Sequence, residues 1–169
     1  MNTAVLSIGS NIGERLQWIR KAYQLLKEAG VHPTSDSSVY ESEAWGFKSE
    51  NSFYNTAIIA ETSLSPEELL DQIHRIEHVL GRQRTENGLY SSRNIDIDII
   101  FFNQIVIHNP NLHVPHPLLQ DRNFVLAPLN EVIPDFIHPV LNLPIHTLYQ
   151  QSNDRIKAFV VHSPLLNRQ

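Results

Sequence analysis

The chain predicts an α+β fold of ferredoxin-like order, an antiparallel sheet with helices packed on one face. Three observations lead there. Short β-branched runs at residues 4–8, 53–62 and 95–102 read as strands, and residues 37–42 look extended. Two stretches with apolar residues at helical spacing separate them. Turn and cap residues fall between each pair, so the order up to Phe102 is β-α-β-β-α-β.

Each element has its own signal. Ala4-Val5-Leu6-Ser7-Ile8 is a buried strand ended by Gly9-Ser10-Asn11. Gly13-Glu14 opens a helix carrying Leu16, Ile19, Tyr23 and Leu26 on one face, and Gly30 stops it. Val39 and Tyr40 give residues 37–42 strand propensity. Residues 43–52 form a polar loop, and residues 53–62 the next strand. Ser65-Pro66-Glu67-Glu68 starts a second helix: Ser65 caps it, Pro66 suits its first turn, and Glu68 completes the capping box. Its stripe of Leu69, Ile73, Ile76 and Leu80 is stopped by Gly81. Residues 82–92 lack periodicity and read as a mobile loop before the strand at 95–102. Asn103-Gln104 then turns the chain into a short partner for that strand at 105–107. Seven prolines punctuate the chain from Pro110 to Pro144. Residues 125–132 and 145–151 are the helical candidates there, and 157–161 a last short strand.

The 169 residues suffice for one domain, which would bury roughly 70% of its extended surface. We find no repeat or linker, and residues 1–169 are expected to form a single domain. The net charge of −5 argues against bulk binding to nucleic acid or an anionic membrane, though not against a local basic pocket. There is no cysteine, which removes disulfides, thiolate metal sites and thiol nucleophiles. With no membrane-length apolar run and no signal-like start, a cytoplasmic protein is expected.

The chemistry concentrates in Asp96-Ile97-Asp98-Ile99-Ile100-Phe101-Phe102. In a strand alternate side chains share a face, so Asp96 and Asp98 point one way, and Ile95, Ile97 and Ile99 the other. Two adjacent carboxylates need a positive partner. A divalent metal is one candidate, a neutralising arginine the other. A solvent-facing edge pair without function is also open. Arg82, Arg84 and Arg93 precede the pair, and guanidinium groups grip phosphate oxygens at two points. Carboxylates holding magnesium beside such arginines would suit a nucleoside triphosphate.

Several stretches in order sharpen this reading. Gly81-Arg82-x-Arg84, Arg93-x-Ile95-Asp96-Ile97-Asp98, Val114-Pro115-His116-Pro117 and Arg122-x-Phe124-Val125-Leu126-x-Pro128-Leu129 follow one another. Ile8-Gly9-Ser10-Asn11 and Phe53-Tyr54-Asn55-Thr56-Ala57 precede them. Together they resemble the 6-hydroxymethyl-7,8-dihydropterin pyrophosphokinase family of folate biosynthesis. The resemblance implies a monomer that moves diphosphate from ATP to a pterin alcohol and releases AMP. It implies that Asp96 and Asp98 bind two magnesium ions, with Arg82 and Arg93 on the transferring phosphates and Arg84 on a closing loop. His74, Glu77, His116 and Arg122 match positions on the nucleotide side. Phe53 and Phe124 match the aromatic pair around the pterin, Asn55 the residue that reads its amide edge, and Ser42, Glu43 and Trp45 one wall.

Bland readings stand beside these roles. Phe53 and Phe124 suit ordinary core packing, and His74 and Glu77 suit a solvated helix face. His113 and His116 have the spacing of a metal pair, which the prolines disfavour. The chain also departs from the family pattern. Tyr90 stands where a loop tryptophan is common, Thr85 where a lysine is, and Pro117 where a tyrosine is. Residues 42–46, Ser-Glu-Ala-Trp-Gly, replace a frequent proline-rich wall. A nucleotidyl transferase and a non-catalytic binding module are the rival readings.

Overall fold

The computed structural model describes residues 1–46, 51–81 and 94–166. Its first part runs β1 (Asn2–Ser10), α1 (Arg15–Glu28), β2 (Val31–Asp36), β3 (Val39–Ser42), β4 (Phe53–Thr62), α2 (Pro66–Val79) and β5 (Asp96–Phe102). There follow β6 (Ile107–His108), β7 (His113–Val114), a 3-10 turn (Leu119–Asp121), α3 (Asn123–Val132), α4 (Ile145–Gln151) and β8 (Ala158–His162). The main sheet has the order β5-β1-β4-β3-β8, with β2 also on β4, and its pairings are antiparallel. Among the described residues no helix is long and apolar enough to cross a membrane.

β2 is a strand the sequence pattern did not predict. β4 is long enough to take two partners along one edge: Ile58 to Thr62 pair with β2, and Phe53 to Asn55 with β3. Between them Ser37 N–H donates to Ala57 O, and Ala57 N–H donates to Ser37 Oγ. Pro33 is accommodated because β2 is bonded on one side only and its register shifts between Pro33 and Ser35.

α2 begins as its sequence predicts. Glu68 N–H donates to Ser65 Oγ at 3.1 Å, and Ser65 N–H donates back to Glu68 Oε2 at 2.8 Å. Gly81, just past its end, has φ +84°, a left-handed conformation that favours glycine.

Helices cover both faces of the sheet, which corrects the expectation of a single covered face. α1 and α2 pack Ile19, Ala22, Leu26, Leu69, Ile73 and Ile76 against Leu6, Ile8, Ile58, Ile97 and Ile99. Ile95, Ile97 and Ile99 therefore enter the core that alternation predicts. The second face carries Val5, Ala57, Ile100 and Phe101, and it must also be buried. Leu119, Val125, Leu126, Leu129, Ile145 and Leu148 cover it. A bulge produces part of that face: Leu6 pairs with Ile99 but Val5 with Phe101, leaving Ile100 as the extra residue. Ile100 and Phe101 then share the second core, while Phe102 returns to the first.

The segment after β5 also departs from expectation. β6 pairs with β7 in a separate two-stranded sheet and not with β5. The outer edge of β5 is already occupied: Ile97 N–H donates to Glu77 Oε2 at 3.2 Å, and Ile100 O accepts His116 N–H at 3.0 Å.

His138 illustrates how the tail is held. It is buried, its ring lies edge-on to Phe101, and its Nδ1 accepts the N–H groups of Val140 and Leu141. Burial lowers its pKa below the ordinary 6.5. The unfolded chain then takes up this proton at a higher pH than the folded one, so stability falls as pH drops below about 6.5. His138→Leu should flatten that part of the decline. Thermal melts of both proteins from pH 7.5 to 5 check it, and parallel curves would disprove it.

Candidate active site

The sheet register assembles the candidate residues. Asp96, Gly9, Asn55 and Tyr40 stand on one rung across β5, β1, β4 and β3. Asp98, Ser7 and Ala57 form the next. Neighbouring strands are about 4.8 Å apart, so the Asp96 and Asn55 backbones are separated by roughly 10 Å. Both aspartates lie on the face of the second core and are half-buried. Phe53 precedes Asn55 by two residues and shares its face; it pairs with Ser42 at the end of β3. Both Phe53 and Ser42 are buried.

Asn55 explains Gly9, which the sequence pattern takes as the end of the first strand but which lies inside β1. A Cβ placed on Gly9 would overlap Asn55 Oδ1. Glycine at this strand position lets the amide approach the β1 backbone closely, and a glycine inside a strand is the available signal for such an approach. Asn55 Nδ2 and Ser42 Oγ are buried without a hydrogen-bond partner among the described residues. Polar groups kept so are costly, and they accumulate where ligands are read.

α3 supplies the opposing wall. Arg122 is its N-cap residue and is buried, with its guanidinium carbon 4.4 Å from the Trp45 ring centre and 5.6 Å from that of Phe124. This joins residues that motif matching had assigned to different substrates. Phe124 is half-buried against the second core, so packing accounts for part of its surface. Glu43 is exposed.

His116 feels the charges of both Arg122 and Asp96. Its Nδ1 accepts Leu118 N–H at 3.2 Å, so the neutral ring carries its proton on Nε2. Burial, then the Arg122 guanidinium, push its pKa down to about 4, partly opposed by Asp96. His113 is engaged elsewhere: its Nδ1 lies 2.9 Å from that of His108. With His116 Nδ1 taken by a backbone N–H and Nε2 protonated, this ring offers no lone pair for the metal-pair reading.

Glu77 is neither solvated nor on the aspartate face. It is buried on α2 and holds Ile97 N–H, between the two aspartates, from the other side of the strand. Its place on the α2 stripe, four residues after Ile73 and three before Leu80, was a readable sign of burial. His74, one turn earlier, is half-buried. Arg82, Arg84, Tyr90 and Arg93 lie outside the described residues.

A cavity of about 780 Å³ opens elsewhere, between α1, β2 and Leu165-Leu166, and contains none of these residues. Among the described residues no group of three histidines or carboxylates could hold a metal alone. Two half-buried carboxylates on one strand face do fit magnesium, which needs one or two when phosphate oxygens and water fill the rest of its shell.

Residues 5–134 match the family model of 7,8-dihydro-6-hydroxymethylpterin-pyrophosphokinase. The chain belongs to that family. A pyrophosphokinase of Aquifex aeolicus named for the same pterin chemistry is 42% identical over 86% of this chain and 89% of its own length. Its counterpart in Bacillus subtilis is 42% identical over 78% of each chain. A Dictyostelium discoideum folic acid synthesis protein is 41% identical over 84% of this chain, which spans 21% of that longer protein. In structure, the chain resembles Plasmodium falciparum HPPK-DHPS with pteroate, at TM-score 0.74 and 19% identity. That likeness covers 89% of this chain and 44% of the larger one, and it speaks for the fold. The pyrophosphokinase family match ends at Pro134, so α4 and β8 lie beyond it.

Proposed function

We propose that this pyrophosphokinase-family chain transfers diphosphate from ATP to 6-hydroxymethyl-7,8-dihydropterin, releasing AMP. The observation that carries the reading is the rung that places Asp96 and Asn55 on one face, two strands apart. A polyphosphate site and a ring site then lie side by side. Asp96 and Asp98 would hold two magnesium ions. When bound, these ions neutralise the triphosphate and favour alkoxide character at the pterin hydroxyl. Asn55 reads the amide edge of the ring with donor and acceptor together. Phe53 and Phe124 supply its aromatic contacts, and Ser42, Glu43 and Trp45 its wall. Arg82 and Arg93 bind the transferring phosphates, and Arg84 closes over them. His74, His116 and Arg122 serve the nucleotide side, and Glu77, matched to that side by motif, acts from behind the strand by holding Ile97 N–H between the two aspartates. The pterin hydroxyl oxygen attacks the β-phosphorus, its bond to the bridging oxygen breaks, AMP leaves and the hydroxyl proton is released. Alignment and charge neutralisation carry the step, without a covalent enzyme intermediate.

The same reading takes β1 to β5 as a ferredoxin-like core, the chain beyond Asn109 as a proline-rich extension, and residues 1–169 as one domain. It takes the protein as a cytoplasmic monomer. The test combines the protein with ATP, magnesium and 6-hydroxymethyl-7,8-dihydropterin and quantifies nucleotide products. AMP and diphosphorylated pterin should accumulate in equal amounts. Pyrophosphate release would mean nucleotidyl transfer, and no pterin-dependent turnover would remove the assignment.

A further inference from the structure

α3 carries Arg122 and Phe124 at its start, yet Arg122 provides no side-chain cap for the helix. The first N–H groups of a helix need acceptors from outside it. A distant segment supplies one: Asn123 N–H donates to Asp154 Oδ2 at 2.8 Å. Asn123 Nδ2 also donates to the carbonyls of Asp154, at 3.0 Å, and Ile156, at 2.9 Å. Asp154 is itself fixed, since its Oδ1 accepts Ile156 N–H and its own N–H donates to Ser152 Oγ. Its carboxylate therefore caps α3 from the link between α4 and β8, with favourable charge at the positive end of the helix dipole.

The other end of α3 is tied to the sheet. Glu131 accepts Ser38 N–H and Ser38 Oγ–H, each at 2.8 Å, and Tyr40 O–H at 3.1 Å. Tyr40 shares the rung of Asn55. With that end anchored, the clasp on Asn123 sets the tilt and register of the first turn. The residues on either side of Asn123 are Arg122, stacked on Trp45, and Phe124.

We infer that Asp154 is a positioning residue for the ring site: through Asn123 it sets where Arg122 and Phe124 stand against Trp45 and Asn55. The link between α4 and β8, beyond the family match, is then part of the machinery and not packing alone. This inference rests on the proposed pterin activity for its kinetic consequence. Its structural consequence is independent of that activity.

The test uses Asp154→Ala, Asp154→Asn and Asn123→Ala in the full chain. Steady-state kinetics should show Asp154→Ala raising the pterin KM about tenfold through Phe124, with a smaller rise in the ATP KM through Arg122 and kcat within twofold of the parent. Asp154→Asn keeps an acceptor and should recover most of the loss. Should Asp154→Ala fail to fold, Asn123→Ala removes the side-chain half of the clasp and is read the same way. A second readout needs no turnover. In a Trp18→Phe background the remaining emission is that of Trp45, and Asp154→Ala should shift it as Arg122 leaves the ring. Unchanged emission, or a parallel change in both KM values and kcat, overturns the inference. An inactive parent whose Trp45 emission still shifts would sink the pterin assignment and leave the positioning role standing.

Discussion

Asp96→Asn is expected to lower kcat by a factor on the order of 10² to 10³ while leaving the melting temperature close to that of the parent. The estimate follows the usual cost of deleting one preorganised electrostatic group at a reacting centre. The substitution is nearly isosteric, so the Asp96–Gly9 pairing on β1 and the Ile97 contact with Glu77 remain. Only the charge is lost. Asp96 is half-buried at the start of β5, where its field is less screened than on open surface. One carboxylate two residues away would be left to hold the proposed ions, so half-saturation should also move to higher magnesium. A magnesium titration of turnover, paired with thermal melting, checks both points. Activity within a few-fold of the parent at limiting magnesium would mean that Asp96 is a surface charge and that the two-metal assignment fails.

What could be read from the chain depended on whether its signals are local. β5 was legible because alternation lies within one strand, and Ile95, Ile97 and Ile99 do enter the first core. α2 was legible because Ser65 and Glu68 make their cap within four residues. β2 was not, because Val31-His-Pro-Thr-Ser-Asp has only Val31 and Thr34 as strand formers, with a proline between them. Its conformation comes from pairing with β4, a context effect that propensity does not carry. The second core was hidden for a related reason. The bulge at Ile100 breaks strict alternation, so the apolar run to Phe102 gave no hint that two of its members turn toward the tail. The same division applies to the site. Asp96, Asp98 and Asn55 were legible as motif members, whereas the stacking of Arg122 on Trp45 joins the start of α3 to a distant segment and has no local trace.

Gly9→Ala should raise the pterin KM by about 10²-fold, a large effect for one methyl group. Gly9 does not adopt a positive φ, so alanine is conformationally tolerable there. The obstacle is space. The three heavy atoms nearest an added Cβ belong to Asn55 and Tyr54, with Asn55 Oδ1 in overlap and none from β5. Tyr54 contributes backbone, which is fixed by pairing with Ser10, so the Asn55 amide must give way. Asn55 is 3% exposed and has little room to turn without losing its aim. A misplacement near 1 Å in a positioning group can cost about a hundredfold. Overpacking of this kind also costs about 1–3 kcal/mol of stability, so binding and melting are measured together. A double-mutant cycle isolates the cause. If Gly9→Ala acts only through Asn55, then Asn55→Ala alone should match its loss in pterin affinity, and the double variant should be no worse than either. Additive losses would show that the added methyl disturbs more of the sheet than one amide. An unchanged pterin KM in a folded Gly9→Ala protein would show that Asn55 does not read the ring.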